Sequence, residues 1–113
     1  MQLAIVNYNL KVNNAMPYII ETWDKLDHQQ QRQQRRAAHL KYLDQNMELL
    51  LACGAKLDDD ANDLGGGIYI INTEDKQIAT AFIQQVPFYL GGLFEKVAIT
   101  RWRKAYFNAE CCL

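Results

Sequence analysis

The chain has 113 residues and a mass of 13.1 kDa; half of it is apolar, 22% is charged, and 12 basic against 13 acidic side chains leave a net charge of −1. A chain of that mass folds to about 6,400 Å² of surface from about 19,000 Å² unfolded, which is enough burial for one core and not for two. This excludes a multidomain enzyme, a largely disordered or fibrous chain, and the dense outward positive charge that nucleic acid or an anionic membrane surface would require.

Residues 1–15 are expected to form an N-terminal extension, with a possible extra strand at 2–8 and a break at Asn13-Asn14-Ala15. They lack the basic start and small-residue cleavage site of a signal peptide. The domain proper is expected over 16–106, with a short, loosely held tail at 107–113.

Residues 17–23 are β-branched and aromatic behind an edge proline, and predict the first core strand. Asp27 and Gln30 have capping-box spacing, so a long helix should open near residue 28 and run to Ala52, with Leu40, Leu43, Met47, Leu50 and Leu51 as its apolar stripe and Gly54 as its stop. Its first turns, 28–36, carry no such stripe. Residues 55–58 suggest a short strand. The acidic run Asp58 to Asp63 fails as a calcium loop, since Asp63 and Tyr69 stand where glycine and glutamate are needed. Gly65-Gly66-Gly67 precedes a strand at 68–71 where a phosphate cradle needs a helix, so these glycines are expected to allow a tight turn and a close backbone approach.

A second amphipathic helix is expected over 74–85, capped by Asn72 or Thr73, with Ile78, Phe82 and Ile83 facing inward. Val86-Pro87 ends it, 88–93 reads as an irregular turn, and 94–102 as the last strand. The order strand, helix, strand, strand, helix, strand predicts an α+β fold of ferredoxin-like split βαβ (βαββαβ) type, an antiparallel sheet with both helices on one face. Tyr18, Ile20, Trp23, Tyr69, Ile71 and Trp102 then exceed what two helices can cover. The expected solution is a homodimer through the open sheet face.

The chemistry-bearing residues are few. His28 sits among glutamines and is expected to be solvated. His39 lies beside the apolar stripe, where an imidazole can move a proton near neutral pH. Arg36 is three residues earlier and could hold an anion with its planar fork, within a local cluster that includes Arg32 and Arg35. Trp23, Phe88, Tyr89 and Trp102 are expected to line an apolar ligand pocket. With no serine in the chain a serine triad is excluded, and the spacing of the two histidines and three cysteines gives no metal site and no cofactor. Cys53 reads as core, and Cys111 and Cys112 as tail. An odd, sparse set without a CxxC pair points to a reducing, cytoplasmic compartment. No run of 18 apolar residues is present, so no membrane partner is expected.

From Met16 to about Tyr106 the chain resembles the YCII-related family. The resemblance rests on Tyr18-Ile19-Ile20, Arg36-Ala37-Ala38-His39-Leu40, Cys53-Gly54, Gly66-Gly67, Pro87-Phe88 followed by Gly91-Gly92-Leu93, and Trp102. It implies a dimeric α+β barrel of the muconolactone-isomerase type with a His–Asp pair in a pocket, and one relative that is a dehydrochlorinase of a substituted hydroquinone. The histidine of that pair would be His39. The aspartate position, immediately before the proline, is Val86 in this chain. That departure favours a cleft near His39 that binds a small anionic or aromatic metabolite without turnover. The alternatives are a small lyase- or isomerase-type enzyme using His39 as general acid and base, and a protein-interaction module.

Overall fold

The computed structural model describes residues 16–113, so the strand expected within residues 1–15 lies outside the described part. The elements are β1 (Tyr18–Asp24), α1 (Gln29–Gln45), a 3-10 turn (Met47–Leu49), β2 (Leu50–Leu57), β3 (Asp63–Ile71), α2 (Lys76–Gln85), α3 (Pro87–Leu90), β4 (Phe94–Arg101), β5 (Tyr106–Phe107) and β6 (Glu110–Cys111). The main sheet is antiparallel, in the order β2-β3-β1-β4, and β5 and β6 pair as a separate hairpin in what was expected to be a loose tail. Among the described residues no helix is long and apolar enough to cross a membrane.

Period-two alternation decides the layering. Tyr18, Ile20 and Thr22 of β1 are in register with Ile71, Tyr69 and Gly67 of β3 on one side and with Arg101, Ile99 and Val97 of β4 on the other. These positions face the core, where Ala79, Phe82 and Ile83 of α2, Phe88 of α3, and Val86 and Leu93 complete the buried cluster. The opposite face carries Ile19, Glu21, Trp23, Ile68 and Ile70 from the same strands.

Two expectations are corrected here. The described chain forms an open four-stranded sheet with two edge strands, β2 and β4, and not a closed α+β barrel. The apolar surplus assigned to the bare face is also smaller than expected, because Tyr18, Ile20, Tyr69 and Ile71 all lie in the core under the helices. Of the side chains counted there, Trp23 belongs to the outer face. Lys56 and Lys96 lie over its ring at 4.2 and 4.7 Å, and Lys56 pairs with Glu21 at 3.2 Å, so that part of the face is charged and aromatic.

Helix α1 stops at Gln45, well before Ala52, and Cys53 and Gly54 lie in the middle of β2, where Cys53 is exposed and sits opposite Tyr69. Leucine and alanine favour a helix there, but pairing with β3 outweighs a few tenths of a kcal/mol of propensity per residue. In α2, Asp75 is the cap, accepting from Gln77 N–H at 2.8 Å, and Ile78 is 43% exposed where an inward position was expected. The irregular turn expected after Val86 contains the helical turn α3, with Pro87 in its first turn, as a fixed φ and a missing N–H allow.

The glycine run makes the expected close approach but no tight turn, since Gly65, Gly66 and Gly67 lie within β3. Gly66 adopts φ +148°, and a Cβ there would overlap the Thr22 carbonyl oxygen and the Lys56 side chain. Gly66→Ala is therefore expected to cost about 2 kcal/mol or more. Equilibrium urea unfolding checks it; unchanged stability would mean that β3 can shift away from β1 without loss.

Candidate functional site

Helix α1 supplies the unusual feature of this core. Its two buried residues are Arg32 and His39, while Leu40 and Met47, expected to form an apolar stripe, are largely exposed. A polar residue leaves water only where partners compensate it, so the surroundings of these two define the site.

Arg32 and His39 are seven residues apart, two turns and about 10 Å along one helix face. The Phe88 ring fills the space between them. His39 stacks on it with a centroid distance of 3.8 Å and an interplanar angle of 12°, and the Arg32 guanidinium carbon lies 4.7 Å from its centre. The two groups cannot share one face of a single ring, so Phe88 is wedged between imidazole and guanidinium. Arg32 is fixed further by Asp24, with Nη1 donating to Oδ2 at 2.9 Å, and by the Gly66 carbonyl, which accepts from Nη2 at 3.2 Å. Both partners come from the sheet. Asp24 ends β1, and the glycine run of β3 leaves a carbonyl with no side chain to shield it.

On the far side of Phe88, His39 is 4% exposed and its Nε2 is 3.1 Å from the Tyr69 hydroxyl. Its Nδ1 is buried with no hydrogen-bond partner among the described residues. Burial, and then the positive charge of Arg32, lower the imidazole pKa to about 4, so the ring is neutral at physiological pH. Burial also pushes the Tyr69 phenol well above its usual range, which keeps it a neutral hydroxyl able to donate or accept. If Tyr69 donates to Nε2, Nδ1 carries the ring proton and can act as an acid. If Nε2–H donates to Tyr69, Nδ1 holds a lone pair and can act as a base.

Not all of the expected site residues meet here. His39 and Phe88 are in direct contact. Arg36 is exposed and makes no ion pair among the described residues; the guanidinium held in the core is that of Arg32. Tyr89 is partly exposed and packs on Phe94, Trp102 packs on Phe107 of the small hairpin, and Trp23 lies on the opposite face of the sheet. Val86 is fully buried in the core cluster, so an apolar side chain stands where the resemblance puts a carboxylate. Asp24 and Tyr69 were not anticipated as site residues, and Arg32 only as a member of the arginine cluster, although each carried a signal. Asp24 and Tyr69 continue the period-two inner rows of β1 and β3, and Arg32 is two full turns from His39. Among the described residues no group of three or more His, Cys, Asp or Glu could hold a metal ion.

A family model described as the YCII-related domain matches residues 16–103. Among solved structures the chain is similar to 5-chloro-2-hydroxyhydroquinone dehydrochlorinase from Burkholderia phenoliruptrix AC1100, in complex with 2,5-dihydroxybenzoquinone. The TM-score is 0.70 with 27% sequence identity, covering 77% of this chain and 93% of that one. It also resembles the solution structure of the Arabidopsis thaliana protein At3g17210, with a TM-score of 0.54 and 8% identity over 88% of this chain and 97% of that one, a likeness of fold alone. No curated protein sequence matches.

Proposed function

The chain belongs to the YCII-related family, and from that membership we propose that it is a small lyase- or isomerase-type enzyme that moves a proton on a hydroxylated aromatic or anionic substrate, with His39 as general acid and base. The observation that carries this reading is the buried His39, held at Nε2 by Tyr69, stacked on Phe88, and left with Nδ1 unpaired. An imidazole whose Nε2 is fixed and whose Nδ1 is uncommitted has one nitrogen for proton transfer once a substrate opens a way to that buried atom.

Val86 argued for binding without turnover, because a carboxylate is the usual support for a catalytic histidine. Tyr69 offers a different support. It orients the ring but does not stabilise the imidazolium, in keeping with a pKa near 4. A ring of so low a pKa is neutral and able to accept a proton at working pH, and the least demanding proton for it is a hydroxyl proton such as that of a chlorinated hydroquinone or hydroxyquinone. In a dehydrochlorination of such a ring one hydroxyl loses its proton while the chlorine-bearing carbon gains one, giving a dienone tautomer. A base then takes a second hydroxyl proton, its bonding electrons become a carbonyl and shift the ring double bonds, and chloride leaves, for a net loss of HCl. His39 would move these protons at Nδ1 as acid and then base. Phe88 would present an apolar surface, and Arg32 the positive field that steadies developing negative charge. Arg36, at the exposed surface, would act only in capturing an anion at the entrance. The reading also takes the protein as cytoplasmic, and as a homodimer through the outer sheet face, where Ile68 is 40% exposed opposite Glu21.

The test is chloride release from 5-chloro-2-hydroxyhydroquinone. Wild-type protein is expected to exceed the buffer rate, and His39→Gln to reduce that excess by about 10²-fold or more. Equal rates for the two proteins would remove His39 from the chemistry.

A further inference from the structure

His39 offers a nitrogen for proton transfer and almost no surface through which a substrate could reach it. Its Nδ1 is buried with no hydrogen-bond partner among the described residues, so a ligand that uses it must first displace a group packed on the imidazole. The neighbours differ in their freedom to move. Tyr69, at Nε2, lies within β3 and is paired on both sides, to β1 and to β2. Phe88, on the ring face, belongs to the four-residue turn α3, whose other side chains Tyr89 and Leu90 are partly and largely exposed. That turn is closed on itself: the N–H groups of Leu90, Gly91, Gly92 and Leu93 donate to the carbonyls of Val86, Pro87, Tyr89 and Phe88. None of these bonds reaches the sheet or another helix, so the turn can move as one piece between its buried ends, Val86 and Leu93. Gly92, at φ +72°, supplies a joint in a backbone region that other residues rarely adopt.

What Phe88 fills is a slot one ring thick. The His39 imidazole forms one wall, 3.8 Å from the Phe88 ring and within 12° of parallel, and the Arg32 guanidinium forms the other, 4.7 Å from its centre. Arg32 commits Nη1 to Asp24 and Nη2 to the Gly66 carbonyl, which leaves its planar face for stacking. Such a face favours a flat, electron-rich ring, and most of all an anionic one. We propose that Phe88 is a plug in the substrate's place: a planar, hydroxylated six-membered ring in anionic form enters the slot as Phe88 swings out, and stacks on Arg32. The imidazole, no longer held parallel by Phe88, turns its Nδ1 edge toward the oxygens of that ring. Phe88 then borders the slot and remains an apolar surface beside the ligand. With no ligand the phenyl ring returns, because it is 3% exposed in the closed form and packs edge-on against Phe94. The class of ligand rests on the role proposed for His39; the displacement of Phe88 is tested by binding alone.

The experiment is an NMR titration of the whole isotope-labelled chain with 2,5-dihydroxybenzoquinone, and with trans-1,4-cyclohexanediol as a puckered, uncharged control. In the wild-type protein the quinone is expected to bind saturably, to abolish the nuclear Overhauser contacts between the His39 and Phe88 rings, and to replace them with contacts from its own ring protons to His39 and Arg32. The diol should leave the stack untouched. A protein whose open form is a tenth or less of the population binds with its affinity reduced by that fraction, so Phe88→Ala should bind the quinone at least about tenfold more tightly. Phe88→Leu keeps most of the core volume but cannot stack, and should tighten binding severalfold in a protein that stays folded. The proposal is overturned if the quinone gives no saturable binding, if the His39–Phe88 contacts persist in the saturated complex, if the diol binds as well, or if Phe88→Leu binds no more tightly than wild type. Displacement of Phe88 without chloride release would uphold this inference and remove the proposed reaction. Chloride release with the stack intact at saturation would do the reverse.

Discussion

Replacing Asp24 by Asn is expected to destabilise the protein by about 3 kcal/mol, with urea unfolding as the readout. The Arg32–Asp24 pair is almost entirely out of water, at 2.9 Å with side-chain exposures of 11% and 6%. Removing one partner of such a pair strands the other charge, which typically costs about 3–5 kcal/mol. The lower end applies here, because the Gly66 carbonyl and the Phe88 ring still serve the guanidinium. The double variant Asp24→Asn/Arg32→Met should be more stable than Asp24→Asn alone, since no uncompensated charge remains buried. A single variant within about 1 kcal/mol of wild type, the range typical of exposed ion pairs, would mean that water reaches Arg32 and that the stack is not sealed.

Acid should destabilise the folded state through His39. The unfolded chain takes up a proton on this imidazole near pH 6.5, its ordinary value, whereas the folded protein resists until about pH 4. Between those limits the unfolded state binds more protons, so stability is complete above about pH 6.5 and is lost as the pH falls toward 4. The loss is on the order of 3 kcal/mol. Asp24 works in the opposite sense. Burial, its largest influence, raises its carboxyl above the usual range despite Arg32, so the folded state gains a proton early and part of the loss is offset at the acid end. His39→Gln should flatten the slope between pH 6.5 and 4, and urea unfolding at a series of pH values checks it. An equally steep slope in that variant would assign the acid sensitivity to other groups.

Much of the fold was legible because it rests on local patterns. The alternation through Tyr18, Ile20 and Thr22 and through Tyr69 and Ile71 marks strands with one buried face, and the acidic run from Asp58 marks a loop that ends at Asn62, one residue earlier than expected, because Asp63 opens β3. What the sequence could not show is where tertiary pairing overrides propensity. Leu50 to Ala52 reads as helix and is strand, because β3 needs an edge partner. The assignment of Tyr18, Ile20, Tyr69 and Ile71 to a bare face failed for a related reason. Both helices leave much of their surface polar, so the core draws most of its bulk from the sheet and from the Val86–Leu93 segment.

The candidate site was half legible. His39 stood out as a histidine at an apolar boundary, and Pro87-Phe88 as a distinctive segment. Arg36 was chosen over Arg32 because it is nearer in sequence, yet three residues rotate about 60° around a helix while seven return to within about 20°. Helical phase, applied strictly, would have selected Arg32. Tyr69 was read as bulk for the sheet, and its hydroxyl was overlooked; only the structure brings it to His39 Nε2.

The most direct check of this account is an NMR titration of the His39 ring nitrogens in the native protein. The expected result is a neutral imidazole through pH 5, a midpoint near 4 if folding persists that far, and a ¹⁵N shift at Nε2 that changes in Tyr69→Phe. A midpoint at the ordinary value of about 6.5, unaffected by Tyr69→Phe, would place the ring in water and contradict both the buried stack and the proton-transfer role built on it.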